Sequence, residues 1–144
     1  MQWDTRQKNL LLILARDVAS KLATPAFLVD AVGTLVFFNE AAESVLGHTF
    51  AEIGELPAEE WMKVWEPMDD RGEPISVREL PLGVALFDGQ PDHRTLRIRS
   101  GDGQTRSLAA TGIPLLSHPD ELVGALALFW EAAPPPADPL AEGV

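Results

Sequence analysis

Between residues 5 and 23, Leu10, Ile13, Leu14, Val18 and Leu22 recur at steps of three and four, which predicts a helix. Arg6, Lys8, Arg16, Asp17 and Lys21 lie largely off that stripe, and Leu11 and Leu12 widen the apolar surface beyond one face. Pro25 fits a break after the helix. Two short apolar runs follow, Phe27 to Val29 and Leu35 to Phe38, read as strands joined by a turn at 30–34. Asp30 bonds readily to nearby backbone and Gly33 supplies the left-handed residue such a turn needs. Asn39 then caps a small helix, because its side chain accepts from a free N–H in the first turn. Glu40 complements the helix dipole, and Gly47 suits the position just past the end.

Thr49-Phe50-Ala51-Glu52 and Ser76-Val77-Arg78-Glu79 each read as a capping box. Between them Trp61, Val64, Trp65 and Met68 recur at helical spacing behind Pro57, and Asp69 to Pro74 reads as a loop. A helix is expected from Val77 to Phe87, ending at Asp88-Gly89, with its first turn distorted by Pro81. The period then changes to two. Leu96 and Ile98 alternate with Thr95, Arg97 and Arg99, a strand with one buried face. Ser100 to Gly103 is a hairpin turn, Ser107 to Leu116 and Leu122 to Trp130 are further strands, and 117–121 is the turn between them. Helices segregated from strands predict an α+β domain with an antiparallel sheet. The expected division is an N-terminal amphipathic helix (1–23), a domain (24–131) and a disordered Pro-rich tail or linker remnant (132–144).

Composition narrows the chemistry. A length of 144 residues suits one domain. The absence of cysteine removes disulfide frameworks, thiolate zinc sites, cysteine nucleophiles and covalent attachment of flavin or c-type haem. A net charge of −11 argues against nucleic acid; Arg94, Arg97, Arg99 and Arg106 cluster on an expected hairpin, read as a solvated face beside acids. The apolar run Leu10 to Ala15 is far short of the ~20 residues that span a bilayer, so no membrane association and a cytoplasmic location are expected.

His48, His93 and His118 each adjoin an expected turn, His93 in a loop, and none shares helical spacing with another ligand, so no metal site is expected. Neither a nucleophile elbow nor paired carboxylates appear; Glu59-Glu60 and Asp69-Asp70 are sequence neighbours whose side chains diverge. No catalytic residues are assigned.

The segment FLVDAVGTLVFFNEAAESVLG, with its order apolar run–D–x–x–G–x–apolar run–N–x–A–x–E–x–x–x–G, resembles the opening of a PAS domain. The later succession of RGEP, RELPLGVAL, a DG turn, GIPL and LVGALALFWE resembles the closing half of PAS domains found beside bacterial sensor kinases. The resemblance covers residues 22–131. It implies a five-stranded antiparallel sheet in the order 2-1-5-4-3, with helices over one face enclosing a pocket.

By that resemblance the pocket is lined by Phe27, Val29, Leu96, Ile98, Leu108, Ala110, Leu126 and Leu128, and closed by Trp61, Trp65, Leu82 and Leu86. Ala125, Ala127 and Phe129 fall on the opposite face, a small-residue strip for the N-terminal helix. Photoactive flavin members carry a cysteine box where this chain has His48 to Ile53, and a Gln on the last strand where it has Leu126. Haem-binding members use a histidine on the helix that here runs Val77 to Phe87 without one, so b-type haem is not expected either.

The implied function is a non-catalytic sensory or regulatory module of signal transduction, binding a small apolar ligand or a protein partner. Its output would lie on a signalling partner or a fused effector domain. A homodimerisation scaffold with a filled core is the alternative. A small α+β isomerase or dehydratase is a lesser one, needing a His–Asp or Tyr–Asp pair in a cavity where apolar residues are expected. The consecutive apolar residues of the first helix exceed what one sheet face covers. A homodimer is therefore expected through Leu10, Leu11, Ile13, Leu14 and Val18.

Overall fold

The computed structural model describes residues 2–132, with side chains from Leu10 onward. The expected Pro-rich tail lies outside those residues from 133. The elements are α1 (Gln2–Ser20), β1 (Ala26–Asp30), β2 (Leu35–Phe38), α2 (Glu40–Leu46), α3 (Phe50–Ile53) and α4 (Ala58–Trp65). A 3₁₀ turn (Val77–Glu79), α5 (Pro81–Asp88), β3 (Asp92–Arg99), β4 (Thr105–His118) and β5 (Glu121–Glu131) complete the domain. The strands form one five-stranded antiparallel sheet in the order β2-β1-β5-β4-β3. The last strand in sequence thus lies at the centre of the sheet.

Local chemistry fixes the first hairpin and the helix after it. Asp30 Oδ1 accepts from the N–H groups of Val32 and Thr34, both at 3.0 Å, and Gly33 has φ +89°. Asn39 caps α2 by accepting from Ala42 N–H at 3.0 Å. Gly47 closes α2 at φ +75°, and its Cα faces the backbone of Gly101 too closely for a Cβ, so a side chain there is refused twice. This contact seats the end of α2 on the β3–β4 turn.

The expected helix from Val77 is broken. Leu80 precedes a proline and is extended (φ −68°, ψ 150°), so the 3₁₀ turn ends there and α5 restarts with Pro81 in its first turn. Both expected capping boxes form, Ser76 with Glu79 and Thr49 with Glu52, and Ser76 Oγ also donates to the Glu79 carboxylate at 2.9 Å.

The register also corrects the assignment of faces on β5. Phe27 stands opposite both Phe38 and Ala127, Val29 opposite Ala125, and Ala110 opposite Phe129. Ala125, Ala127 and Phe129 therefore face the main core with Phe27, Val29, Leu96, Ile98, Leu108 and Ala110, while Leu126 and Leu128 face the other way. Side chains alternate along a strand, so a one-residue error exchanges the faces. Leu122 to Trp130 is apolar at nearly every position and gives the alternation nothing to read.

Helix α1 lies on the outer sheet face. Its contact point is Gly124, where an added Cβ would stand 3.2 Å from a Leu12 methyl. Ala19 is buried, and Leu11, Leu12 and Ala15 are half-buried against the sheet. The regular stripe turns the other way: Leu10, Ile13, Leu14 and Val18 are 55, 62, 52 and 57% exposed. Arg16 stacks its guanidinium over Phe37 at 4.7 Å, tying α1 to β2. Among the described residues, no helix is long and apolar enough to cross a membrane.

Candidate functional site

A cavity of about 90 Å³ lies between the inner sheet face and helices α4 and α5. Strands contribute Phe27, Leu96, Ile98, Leu108, Ala110, Ala127 and Phe129; helices and their connections contribute Leu46, Trp61, Trp65, Pro67, Leu80, Pro81 and Leu82. No polar atom shares in its exposed lining.

The two tryptophans show how that is achieved. Both lie on one face of α4, and both turn their N–H groups away from the cavity: Trp61 Nε1 donates to Gly33 carbonyl at 2.9 Å and Trp65 Nε1 to Leu46 carbonyl at 3.0 Å. The indole polar ends are satisfied by backbone, leaving only ring surface inside. Phe27 meets Trp61 and Trp65 edge to face, at 5.3 and 5.8 Å between ring centres, and stacks parallel to Phe38 at 6.2 Å. Such pairs fix ring orientation and contribute about 0.5–1.5 kcal/mol each.

Most residues assigned to the pocket from sequence meet here: Phe27, Trp61, Trp65, Leu82, Leu96, Ile98, Leu108 and Ala110. Val29 and Leu86 are buried in the adjoining core and not on the wall. Leu126 and Leu128 are excluded by the register, and Ala127 and Phe129 take their places. Leu46, Pro67, Leu80 and Pro81 were missed. Leu46 ends a helix whose apolar positions are readable, whereas Pro67 and Leu80 sit in connections without periodicity.

Neither group associated with the resembling family fits this cavity. An engineered apolar cavity of about 150 Å³ holds benzene, and a cavity of about 90 Å³ has no room for a fused flavin ring system or a porphyrin. Its lining also offers no histidine to an iron and no hydrogen bond to a flavin edge.

The histidines stand elsewhere. His48 Nδ1 is 3.9 Å from Glu52 Oε1. His93 is not in a loop but on β3, opposite Thr111, where the ladder extends further toward α5 than the alternation of 95–99 indicates; its ring is 5.9 Å from Trp130. His118 ends β4. Among the described residues, no group of three His, Asp or Glu could hold a metal ion. Arg99 pairs with Glu66 at 3.3 Å, and Arg106 with Asp102 and Glu131. The perturbed carboxyls are exposed ones. Asp69 is held below its ordinary range chiefly by the backbone N–H of Glu73, and Asp102 chiefly by that of Gln104.

Neither a family profile nor a curated protein matches the chain. Solved structures do. The PAS domain of BvgS from Bordetella pertussis superimposes with a TM-score of 0.58 at 17% identity, covering 92% of this chain and 92% of that one. The PAS domain of nitrogen regulation protein NR(II) from Vibrio parahaemolyticus gives 0.57 at 16% identity, covering 83% and 98%. The LOV protein of Rhodobacter sphaeroides gives 0.66 at 18% identity, covering 92% and 73%. The domain has the PAS fold.

Proposed function

We propose that the chain is a sensory module of signal transduction that binds a small apolar ligand in the cavity and relays the change in packing to a partner, without catalysing a reaction. The observation that carries this reading is the cavity wall itself, built wholly from apolar surface although two of its residues own polar N–H groups. Such a wall admits an uncharged apolar molecule and opposes any group that needs hydrogen bonds, whose burial without a partner costs about 1–3 kcal/mol or more. It also supplies no acid, base or nucleophile, so the isomerase or dehydratase alternative has no group to act with. The fold likeness to a nitrogen regulation protein supports a regulatory role.

A second copy of the chain is the partner this reading favours. Leu10, Ile13, Leu14 and Val18 form a continuous exposed stripe along α1, bordered by a groove in which Leu11 and Leu116 take part. Large open apolar patches are uncommon on soluble monomers. A two-fold pairing would bury the same stripe from both chains. The same stripe supports the scaffold alternative, in which the dimer forms and the cavity takes no ligand.

Native mass spectrometry of the purified full chain separates the two. A dimer that retains a small molecule, lost on gentle activation, is the expected result. A dimer of bare polypeptide mass that takes up no added apolar probe favours the scaffold.

A further inference from the structure

Helix α4 has a second side. Trp61 and Trp65 face the cavity, while Met62, Lys63 and Glu66 border an open cleft of about 520 Å³ between α4, the segment 66–75 and the end of β3, with Arg99 on its far rim. Pro67 lines both spaces, so a single residue's thickness separates them. The segment behind it is a closed loop on the edge of β3: Ile75 N–H donates to the Pro67 carbonyl at 3.1 Å, and Met68 and Arg97 exchange a pair of backbone hydrogen bonds, both 2.8 Å.

Glu66 is the unusual residue of this segment. Among the described residues it alone is a non-glycine with positive φ (φ 44°, ψ 60°), a conformation in which a side chain crowds its own backbone. That conformation aims its carboxylate at Arg99, Oε2 to Nε at 3.3 Å. The rim therefore carries two cations: Lys63, 3.9 Å from Glu60 Oε1, and Arg99, whose guanidinium the Glu66 carboxylate occupies.

We propose that cavity and cleft are two halves of one site, and that its ligand is a short-chain monocarboxylate whose alkyl tail enters the cavity past Pro67 while its carboxylate replaces that of Glu66 on Arg99. The proposal rests on the apolar-ligand reading above and adds the head group. An apolar cavity forces any polar end of a ligand to stay outside it, and the outside here presents a guanidinium suited to a carboxylate. Glu66 acts as a built-in competitor.

Pentanoate and its uncharged counterpart pentanamide, titrated into the full chain, test this through the indole N–H signals of Trp61 and Trp65 and the Nε–H signal of Arg99. Pentanoate is expected to bind roughly 10-fold more tightly than pentanamide, as one charge-assisted contact at a partly exposed site provides. Arg99→Gln removes that preference. Glu66→Gln, which deletes the competitor, strengthens pentanoate binding several-fold and leaves pentanamide unchanged. A merely structural ion pair would give the two variants the same effect, and that result overturns the proposal. Equal affinity of the two probes in the unmodified chain overturns the head-group assignment while leaving the apolar cavity in place. If neither probe nor xenon moves the Trp61 and Trp65 signals, the cavity reading fails with it.

Discussion

Asn39 Nδ2 donates to the carbonyl of Ala19 at 2.9 Å, linking the cap of α2 to the last turn of α1. The same amide reaches the carbonyl of Thr24 at 2.9 Å, and its Oδ1 accepts from Ala26 and Ala42 N–H at 3.0 Å each. One buried side chain thus joins the flanking helix, the link to β1 and the start of α2, next in sequence to Phe38, which packs on Phe27 and Trp65. Loss of a cap costs about 1 kcal/mol, and each buried backbone group left unpaired adds about 1–3 kcal/mol. Asn39→Ala is therefore expected to lower stability by roughly 2–4 kcal/mol in urea unfolding, with the amides of 19–26 losing hydrogen-exchange protection first. A loss under about 0.5 kcal/mol would show that α1 is held by Leu12 and Arg16 alone.

The assignment of β5 faces has a direct mutational consequence. Ala127 lines the cavity and Leu126 does not. Ala127→Val places added methyl groups into free space, so stability should change by less than about 1.5 kcal/mol while uptake of small apolar molecules falls. Leu126→Val should leave uptake intact. The opposite pattern in a xenon titration would restore the reversed assignment.

These two cases mark what sequence conveys here. Asp30, Gly33, Asn39, Gly47 and the Thr49–Glu52 box act through hydrogen bonds within a few residues, and the structure shows each at the expected place. The order of strands and the pocket positions came from the PAS resemblance, and the alternation of Leu96 and Ile98 with charged neighbours gave the buried face of β3. The face of β5 was not readable, because it depends on pairing with β1 across nearly a hundred positions. On α1 the residues expected to face outward, Leu10, Ile13, Leu14 and Val18, are exposed, whereas Leu11, expected beside them, is half-buried on the sheet. Apolar residues run all round that helix, and the choice of side was made by the approach of Leu12 to Gly124.

On α1, Ile13 and Val18 are more than half exposed and lie outside the buried core cluster. Ile13→Glu with Val18→Glu should leave the fold within about 0.5 kcal/mol per site and convert a dimer to a monomer in analytical ultracentrifugation. An unmodified chain that sediments as a monomer at micromolar concentration contradicts the proposed pairing.

Asp69 organises the segment 66–75 by accepting from Arg71 N–H at 2.8 Å and Glu73 N–H at 3.0 Å. Its carboxyl is depressed below the ordinary 3.8, chiefly by the Glu73 contact. A depressed folded-state value contributes order that is present above the unfolded value and disappears as pH falls through the folded one. The Arg71 and Glu73 amides should therefore keep their shifts from neutral pH down to about the ordinary carboxylate range and move only below it. A transition near neutrality would assign the order of segment 66–75 to another group.

The central claim is that an accessible apolar cavity, walled by Phe27, Trp61 and Trp65, receives a small molecule. Xenon carries no charge and makes no hydrogen bonds, so its binding reports apolar space alone. Dissolved under pressure with the labelled full chain, it should shift the indole N–H signals of Trp61 and Trp65 in a saturable way and leave that of Trp130 unmoved. Shifts that never saturate, or that fall on Trp130 and α1 while Trp61 and Trp65 stay still, would contradict the account.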